Sequence, residues 1–327
     1  MAELQLREAL RAAMVEEMDR DESIFLIGEE VAEYNGAYKV SEGMLERFGA
    51  RRVLDTPISE NGFAGLGVGA AMNGLRPIVE FMTFNFSFVA FDQIANNAAK
   101  IRYMSGGQFK LPMVFRGPNG AAGQLGATHN TSVESLYSVF PGLKVISISN
   151  PDDAKGLLKS AIRDDNPVVF LESELMYGMK GEVSDEDDYL IPIGKARVAR
   201  EGTDVTIVGH NKSYWVAMET ASRLEEEGFS AEVIDPRTIR PLDIDSILAS
   251  VRKTNRCVVI DESNPFASIS SEIAFQIQER AFDYLDAPVL RVTAKDVPAP
   301  YARNLIEYYM PRADEAVDAC KRVMYAD

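Results

Sequence analysis

Residues that build metal and redox centres are scarce in this chain: its 327 residues include two cysteines, two histidines and one tryptophan. Cys257 and Cys320 stand far apart, match no zinc spacing and define no disulfide framework. That usage predicts a reducing compartment, the cytoplasm. No apolar run approaches the roughly 18–20 residues that cross a membrane. The opening MAELQLRE lacks the basic-then-apolar order of a signal peptide, so no membrane association is expected. There is no G-x-x-x-x-G-K-[ST] loop and no G-x-S-x-G elbow, which argues against P-loop nucleotide chemistry and serine hydrolysis. Positive charge is also in deficit, 34 Lys and Arg against 50 Asp and Glu, for a net charge of -16. A polyphosphate backbone needs clustered cations, so no nucleic-acid partner is expected. An anionic cofactor would need a metal ion, or basic groups from another chain.

What is present is an ordinary globular composition, 46% hydrophobic and 26% charged, in a chain long enough for two cores. Leu6, Leu10, Ala13, Met14 and Met18 recur at helical spacing, which predicts an amphipathic helix over 6–18. Short apolar runs then alternate with helical stretches. Strands are predicted at 24–27, 77–81, 113–115, 144–148 and 168–171, and helices at 63–72, 92–104 and 154–163. The acidic run GEVSDEDD at 181–188, followed by Pro192, reads as a linker. A second alternating set follows, with strands at 205–208, 231–234, 257–260 and 289–292 and helices at 214–226, 244–251 and 270–282. The pattern predicts an α/β protein of two domains, 1–185 and 186–327, with mostly parallel sheets.

Four features are candidates for chemistry. Gly62, Gly65, Gly67 and Gly69 invite a dinucleotide reading, but the G-x-G-x-x-G order is not met, and a helix packed closely through small residues is the simpler account. In DTPISENG, residues 55–62, Pro57 disfavours helix at Thr56, and a helix should begin near Gly62. Glu60 thus falls at a strand-to-helix junction, where it either answers the helix N-terminus or meets a ligand. His129 follows Gly117, Gly120, Gly123 and Gly126, a loop able to approach a ligand closely; it is either an acid/base group or a surface histidine. His210 ends an apolar strand and reads as structural. Met82, Phe84, Phe86 and Phe88 follow a strand, either as core or as the wall of a flat heterocycle.

Longer stretches carry a resemblance. DTPISENGFAGLGVGAAMNGLRPIVEFMTFNFSF (55–88), DQIANNAAKIRYMSGG (92–107), FRGPNGAAGQLGATH (115–129), DDAKGLLKSAIRDDNPVVFLE (152–172), DPRTIRPLD (235–243) and LDAPVLRVTAKDVPAPYA (285–302) resemble the beta subunits of the decarboxylating component of pyruvate dehydrogenase complexes. The likeness spans essentially the whole chain. It implies a transketolase-like thiamine-diphosphate fold, with a pyrimidine-binding domain followed by a transketolase C-terminal domain. It implies oxidative decarboxylation of pyruvate with acetyl transfer to the lipoyl groups of a dihydrolipoamide acyltransferase. Branched-chain 2-oxo acids or acetoin are the alternative substrates. A scaffold subunit and a nicotinamide enzyme are the competing readings, the latter disfavoured by the glycine spacing.

By this resemblance Glu60 contacts the cofactor's aminopyrimidine, where a carboxyl hydrogen-bonded to ring nitrogen N1′ favours the imino tautomer. Met82 and Phe86 line the pyrimidine pocket. His129 assists passage of the acyl group to the lipoyl arm, although Thr128-His129-Asn130 replaces the family's common Gln- or Glu-His-Ser. Met113, Ala161, Ile162, Asp164 and Asn166 match a potassium site, and Asp296 matches an acid that contacts the acyltransferase. The Gly-Asp-Gly motif that holds Mg2+ and diphosphate is absent. An alpha subunit would therefore supply it, in an alpha2-beta2 heterotetramer.

Overall fold

A computed structural model describes residues 1–186 and 188–326. The chain forms two compact units: Met1–Asn119 with Leu136–Ile193, and Gly120–Ser135 with the chain from Gly194 onward. The segment carrying His129 thus folds with the second unit, a return that no local sequence pattern announces.

In the first unit the elements are β1 (Ala2–Gln5), α1 (Leu6–Arg20), β2 (Ile24–Gly28), α2 (Met44–Phe48), β3 (Val53–Asp55), α3 (Glu60–Met72), β4 (Arg76–Glu80), α4 (Ala99–Met104) and β5 (Val114–Pro118). A short helix α5 (Glu134–Ser138), whose first two residues belong to the second unit, leads back to β6 (Lys144–Ser147), α6 (Pro151–Arg163), β7 (Val168–Glu172) and β8 (Lys180–Val183). The strands lie side by side as β6-β7-β5-β4-β2-β3, each parallel to its neighbour. Their continuous burial explains why they read as apolar runs and not as alternations. One face is closed by α1 and α6, whose Leu6, Leu10, Met14, Leu157, Leu158 and Ile162 join Leu26, Ile78 and Phe170 in one core. The start of α6 is well specified: the Asn150 side chain accepts from the Asp153 backbone N–H, Pro151 occupies the first turn, and Asp152 and Asp153 face the positive end of the helix.

The second unit contains β9 (Arg197–Arg200), β10 (Val205–Gly209), α7 (Lys212–Glu226), β11 (Ala231–Asp235), β12 (Thr238–Arg240), α8 (Ile244–Thr254) and β13 (Cys257–Asp261). It continues with α9 (Ile269–Ala281), β14 (Leu290–Thr293), α10 (Arg303–Tyr309) and α11 (Ala313–Met324). Its sheet has five strands in the order β14-β13-β10-β11-β9, parallel except for the edge strand β9.

Three local expectations are corrected. The helix expected from Gly62 begins at Glu60, which places that carboxyl in the first turn. The linker expected at 181–188 is partly strand: Lys180–Val183 pairs antiparallel with Ala2–Gln5, a partner so distant in sequence that local reading cannot find it. The helix expected at 92–104 opens as a π-helical stretch, Gln93–Ala98. Two of the glycines of α3, Gly65 and Gly67, do serve close packing, whereas a Cβ on Gly69 would meet nothing within 4 Å. A Cβ on Gly67 would stand 2.7 Å from Val79 Cγ2, and one on Gly65 would stand 3.2 Å from Gln93 Oε1.

Candidate active site

All strands of the first sheet are parallel, so their carboxyl ends share one edge. Chain leaving β2 runs to β3 on one side, and chain leaving β4 runs to β5 on the other. The gap between the ends of β2 and β4 is therefore a topological switch point, the place where open α/β sheets receive ligands. Glu29 follows β2 and Phe81–Met82 follow β4 at this gap. Glu60 arrives from the next strand over, through β3 and the first turn of α3.

The local structure fixes these groups. Asp55, the last residue of β3, accepts from the backbone N–H of Ala32 at 2.7 Å and of Glu33 at 3.0 Å, which pins the loop behind Glu29. The Thr56 N–H donates to the Gly28 carbonyl at 3.0 Å. Phe63, one turn after Glu60, packs on Phe81 with ring centroids 5.6 Å apart, and Phe81 in turn meets Phe84 edge-on. The first turn of α3 is thus seated on the end of β4.

Glu29 and Glu60 are both buried, each 6% exposed. Burial, then the negative charge and hydrogen-bonding contact of Glu60, push the Glu29 carboxyl up to about 7. Glu29 Oε1 is buried with no hydrogen-bond partner. Among the described residues no cation pairs with Glu29, and its unmet oxygen leaves room for an outside donor or acceptor. A carboxyl aimed at a ring nitrogen is what an aminopyrimidine requires, so the donor set fits that group. Met82 and Phe86 are half-buried beside the buried Phe84 and keep apolar surface available to a flat ring. Glu29 was not singled out from sequence. Its signal was there in the IFLIGEE stretch, an acid immediately beyond an apolar strand.

His129 lies in the second unit, half-buried in a short turn Ala127–His129, with Thr128 Oγ1 2.8 Å from its Nδ1. His210 is buried at the end of β10, its Nδ1 3.8 Å from Glu134 Oε1 and its Nε2 3.8 Å from Asp261 Oδ1. Met113, Ala161, Ile162, Asp164 and Asn166 do come together. The Met113 and Ala161 carbonyls accept from the Val168 and Asp164 N–H groups, at 3.0 and 3.2 Å. The Arg76 guanidinium donates to the Ile162 carbonyl at 3.0 Å and the Asp164 carbonyl at 3.4 Å, and Lys144 pairs with the Asp164 carboxylate. The Asn166 amide donates to Asp164 Oδ1 at 2.8 Å. Two cationic side chains thus already share these oxygens. Asp296 is exposed just beyond β14, beside a surface cleft of about 500 Å³ that Lys295, Glu315, Asp318 and Arg322 also border.

Among the described residues no helix is long and apolar enough to cross a membrane. Residues 2–180 match the family model of the transketolase pyrimidine-binding domain, and residues 194–315 that of the transketolase C-terminal domain. The chain is 56% identical over 325 residues to the pyruvate dehydrogenase E1 component subunit beta of Rhizobium meliloti, covering 99% of this chain and 71% of that protein. To the subunit of the same name from Rickettsia bellii it is 55% identical over 323 residues, with 99% of each chain covered. The mitochondrial subunit of Saccharomyces cerevisiae is 53% identical over 324 residues, covering 98% of this chain and 88% of that one. A split-gene transketolase, described as an inactive beta4 tetramer, superposes with a TM-score of 0.79 at 23% identity, over 99% of both chains, which shows the fold. The chain belongs to the transketolase-like family of pyruvate dehydrogenase E1 component beta subunits.

Proposed function

We propose that this chain is the beta subunit of a thiamine-diphosphate-dependent pyruvate dehydrogenase (acetyl-transferring), active with an alpha subunit in an alpha2-beta2 assembly. The reaction converts pyruvate, a proton and an oxidised lipoyl group into carbon dioxide and an acetyldihydrolipoyl group on the acyltransferase. The observation that carries this reading is the buried Glu29–Glu60 carboxyl pair at the switch point of the first sheet. Thiamine diphosphate, when bound, supplies the electron sink for loss of carbon dioxide from a 2-oxo acid. Glu60 holds a proton at ring nitrogen N1′ of the aminopyrimidine. Glu29, its own carboxyl raised to about 7 beside Glu60, is the second proton-bearing group of the pocket. Met82 and Phe86 flank the ring and exclude water. His129 presents an imidazole to the acyl-transfer step.

In the domain terms read from sequence, the pyrimidine contact belongs to 1–185, and 186–327 forms the transketolase C-terminal-like remainder. Mg2+ and diphosphate fall to the alpha subunit, since this chain has no Gly-Asp-Gly. Asp296, exposed beside its cleft, is assigned to contact with the acyltransferase. A cytoplasmic location accords with the free, buried thiols of Cys257 and Cys320. A potassium ion on Met113, Ala161, Ile162, Asp164 and Asn166 would use the second lone pairs of the Ile162 and Asp164 carbonyls, which Arg76 already shares, and of the Met113 and Ala161 carbonyls, which backbone N–H groups share. A rise in Tm specific to potassium over sodium checks it, and equal curves in the two salts remove it.

The EFMTFNF stretch favours pyruvate over branched-chain acids. Co-expression with the alpha partner tests both subunit role and substrate. Lipoyl-dependent decarboxylation of pyruvate well above that of branched 2-oxo acids is expected. A preference for the branched acids would overturn the substrate, and no turnover by the assembled pair would overturn the enzyme reading.

A further inference from the structure

His129 owes its position to neighbours that sequence does not place beside it. We propose that Asn130 and the buried Lys212–Glu262 pair are positioning residues: they fix the 120–135 segment on the second unit, and with Thr128 they set the orientation of the His129 ring. The proposal rests on the acyl-transfer reading of His129 given above.

The segment is tied down at both ends and laced in the middle. At its start, Lys212, the first residue of α7, donates to the Ala121 carbonyl and stands 2.8 Å from Glu262 Oε2. Both side chains are removed from water, at 11% and 0% exposure. Gly120 has φ +73, and a Cβ there would collide with the Glu262 carboxylate, so the chain passes this pair only as bare backbone. At its far end, Glu134 lies 3.8 Å from His210, which in turn lies 3.8 Å from Asp261. Asp261 ends β13 and Glu262 follows it, and His210 and Lys212 follow β10. These strands are neighbours, and the chain leaves them in opposite directions along the second sheet. The anchors therefore occupy that sheet's own switch point.

Between the anchors, Asn130 is 3% exposed. Its Oδ1 accepts from the Ala122 N–H at 2.7 Å, and its Nδ2 donates to the Gly126 carbonyl at 2.7 Å. One amide, with an acceptor and a donor on the same planar group, closes the 122–130 stretch into a ring. A hydroxyl in its place would be a shorter group without that paired geometry. Thr128 engages His129 Nδ1 at 2.8 Å, so its hydroxyl helps decide which ring nitrogen carries the proton. Thr128 and Asn130 thus support the histidine from both sides in sequence.

The test uses the assembled alpha2-beta2 enzyme and a lipoyl domain as acceptor, with Asn130→Asp, which keeps the acceptor and loses the donor, and Lys212→Met. Each should lower kcat for acetylation of the lipoyl domain by about 10- to 100-fold, the scale of a misplaced catalytic group, and change KM for pyruvate less than about twofold. Lys212→Arg should recover most of the rate. In protein whose beta subunit carries 15N-histidine, the His129 ring resonances should shift in Asn130→Asp. There are two histidines, so the spectrum of His129→Gln assigns them. Should Lys212→Met fail to assemble, Asn130→Asp decides alone. Unchanged kcat together with unchanged ring resonances overturns the proposal. Full acyl transfer by His129→Gln would instead overturn the parent reading, while a shifted resonance in Asn130→Asp would still show that the ring is held as described.

Discussion

Two groups of acids are buried at the carboxyl edge of the first sheet, and they are treated in opposite ways. Glu80 ends β4 and Glu172 ends β7, and Arg116 of β5 stands between them. The Arg116 guanidinium, 1% exposed, meets Glu172 through two nitrogens, one of them at 2.6 Å, and meets Glu80 through a third. The Tyr177 hydroxyl donates to Glu172 at 2.7 Å. Burial pushes the Glu80 carboxyl up while Arg116 opposes the shift. That cluster is closed: a charged fork answers both acids, and a phenol takes up a further lone pair. Nearby on the same edge, Glu29 after β2 and Glu60 in the first turn of α3 are also buried, and among the described residues no cation pairs with either. Acids that serve the fold have their partner within the sheet; on the proposed reading, Glu29 and Glu60 face one another because their partner comes from outside.

The comparison can be broken at three points. The largest effect is on chemistry: Glu60→Gln should reduce decarboxylation by the assembled enzyme by about 10²- to 10⁴-fold, with Tm and assembly unchanged. Near-normal turnover would place Glu60 with the structural acids. Next, Arg116→Met leaves Glu80 and Glu172 buried without their cation and should destabilise the chain by about 3–5 kcal/mol in urea unfolding. A loss below about 1 kcal/mol would mean that the closed cluster is no more committed to the fold than the open one.

The smallest effect is a pH slope. Glu29 has its folded-state carboxyl raised from the ordinary 4.5 to about 7. Its stabilising contribution is therefore complete at low pH and is lost as pH rises through about 7, because the folded state binds the extra proton in that window. Glu29→Gln should remove that slope, so that the variant loses less Tm than the parent between about pH 5 and about pH 8. Parallel curves would show that the carboxyl is not perturbed.

Sequence and structure diverge in an instructive order. The buried parallel strands were legible because a strand covered on both faces must be apolar throughout, and 24–27, 168–171, 205–208 and 257–260 all fall inside observed strands. The α11 helix was not singled out: half of its buried face, Ala313, Ala316, Val317, Ala319, Cys320 and Val323, is alanine, which marks a buried position only weakly. The β1–β8 pair depends on a partner at the other end of the first unit. At the site, Glu60 could be singled out because proline and glycine bracket it. Glu29 offered only its place after an apolar strand, since the like-charge pair that sets it apart exists only once β2 and β3 lie side by side. The anchoring of the His129 loop on Lys212 and Glu262 is a contact of the same non-local kind.

The most direct measurement is the rate at which the thiazolium C2 proton of thiamine diphosphate exchanges for deuterium, followed by quenched-flow NMR in the assembled enzyme. With Glu60→Gln the cofactor should still bind, and exchange should slow by at least about 10²-fold. Exchange at the parent rate in that variant would show that the Glu60 carboxyl does not act on the cofactor.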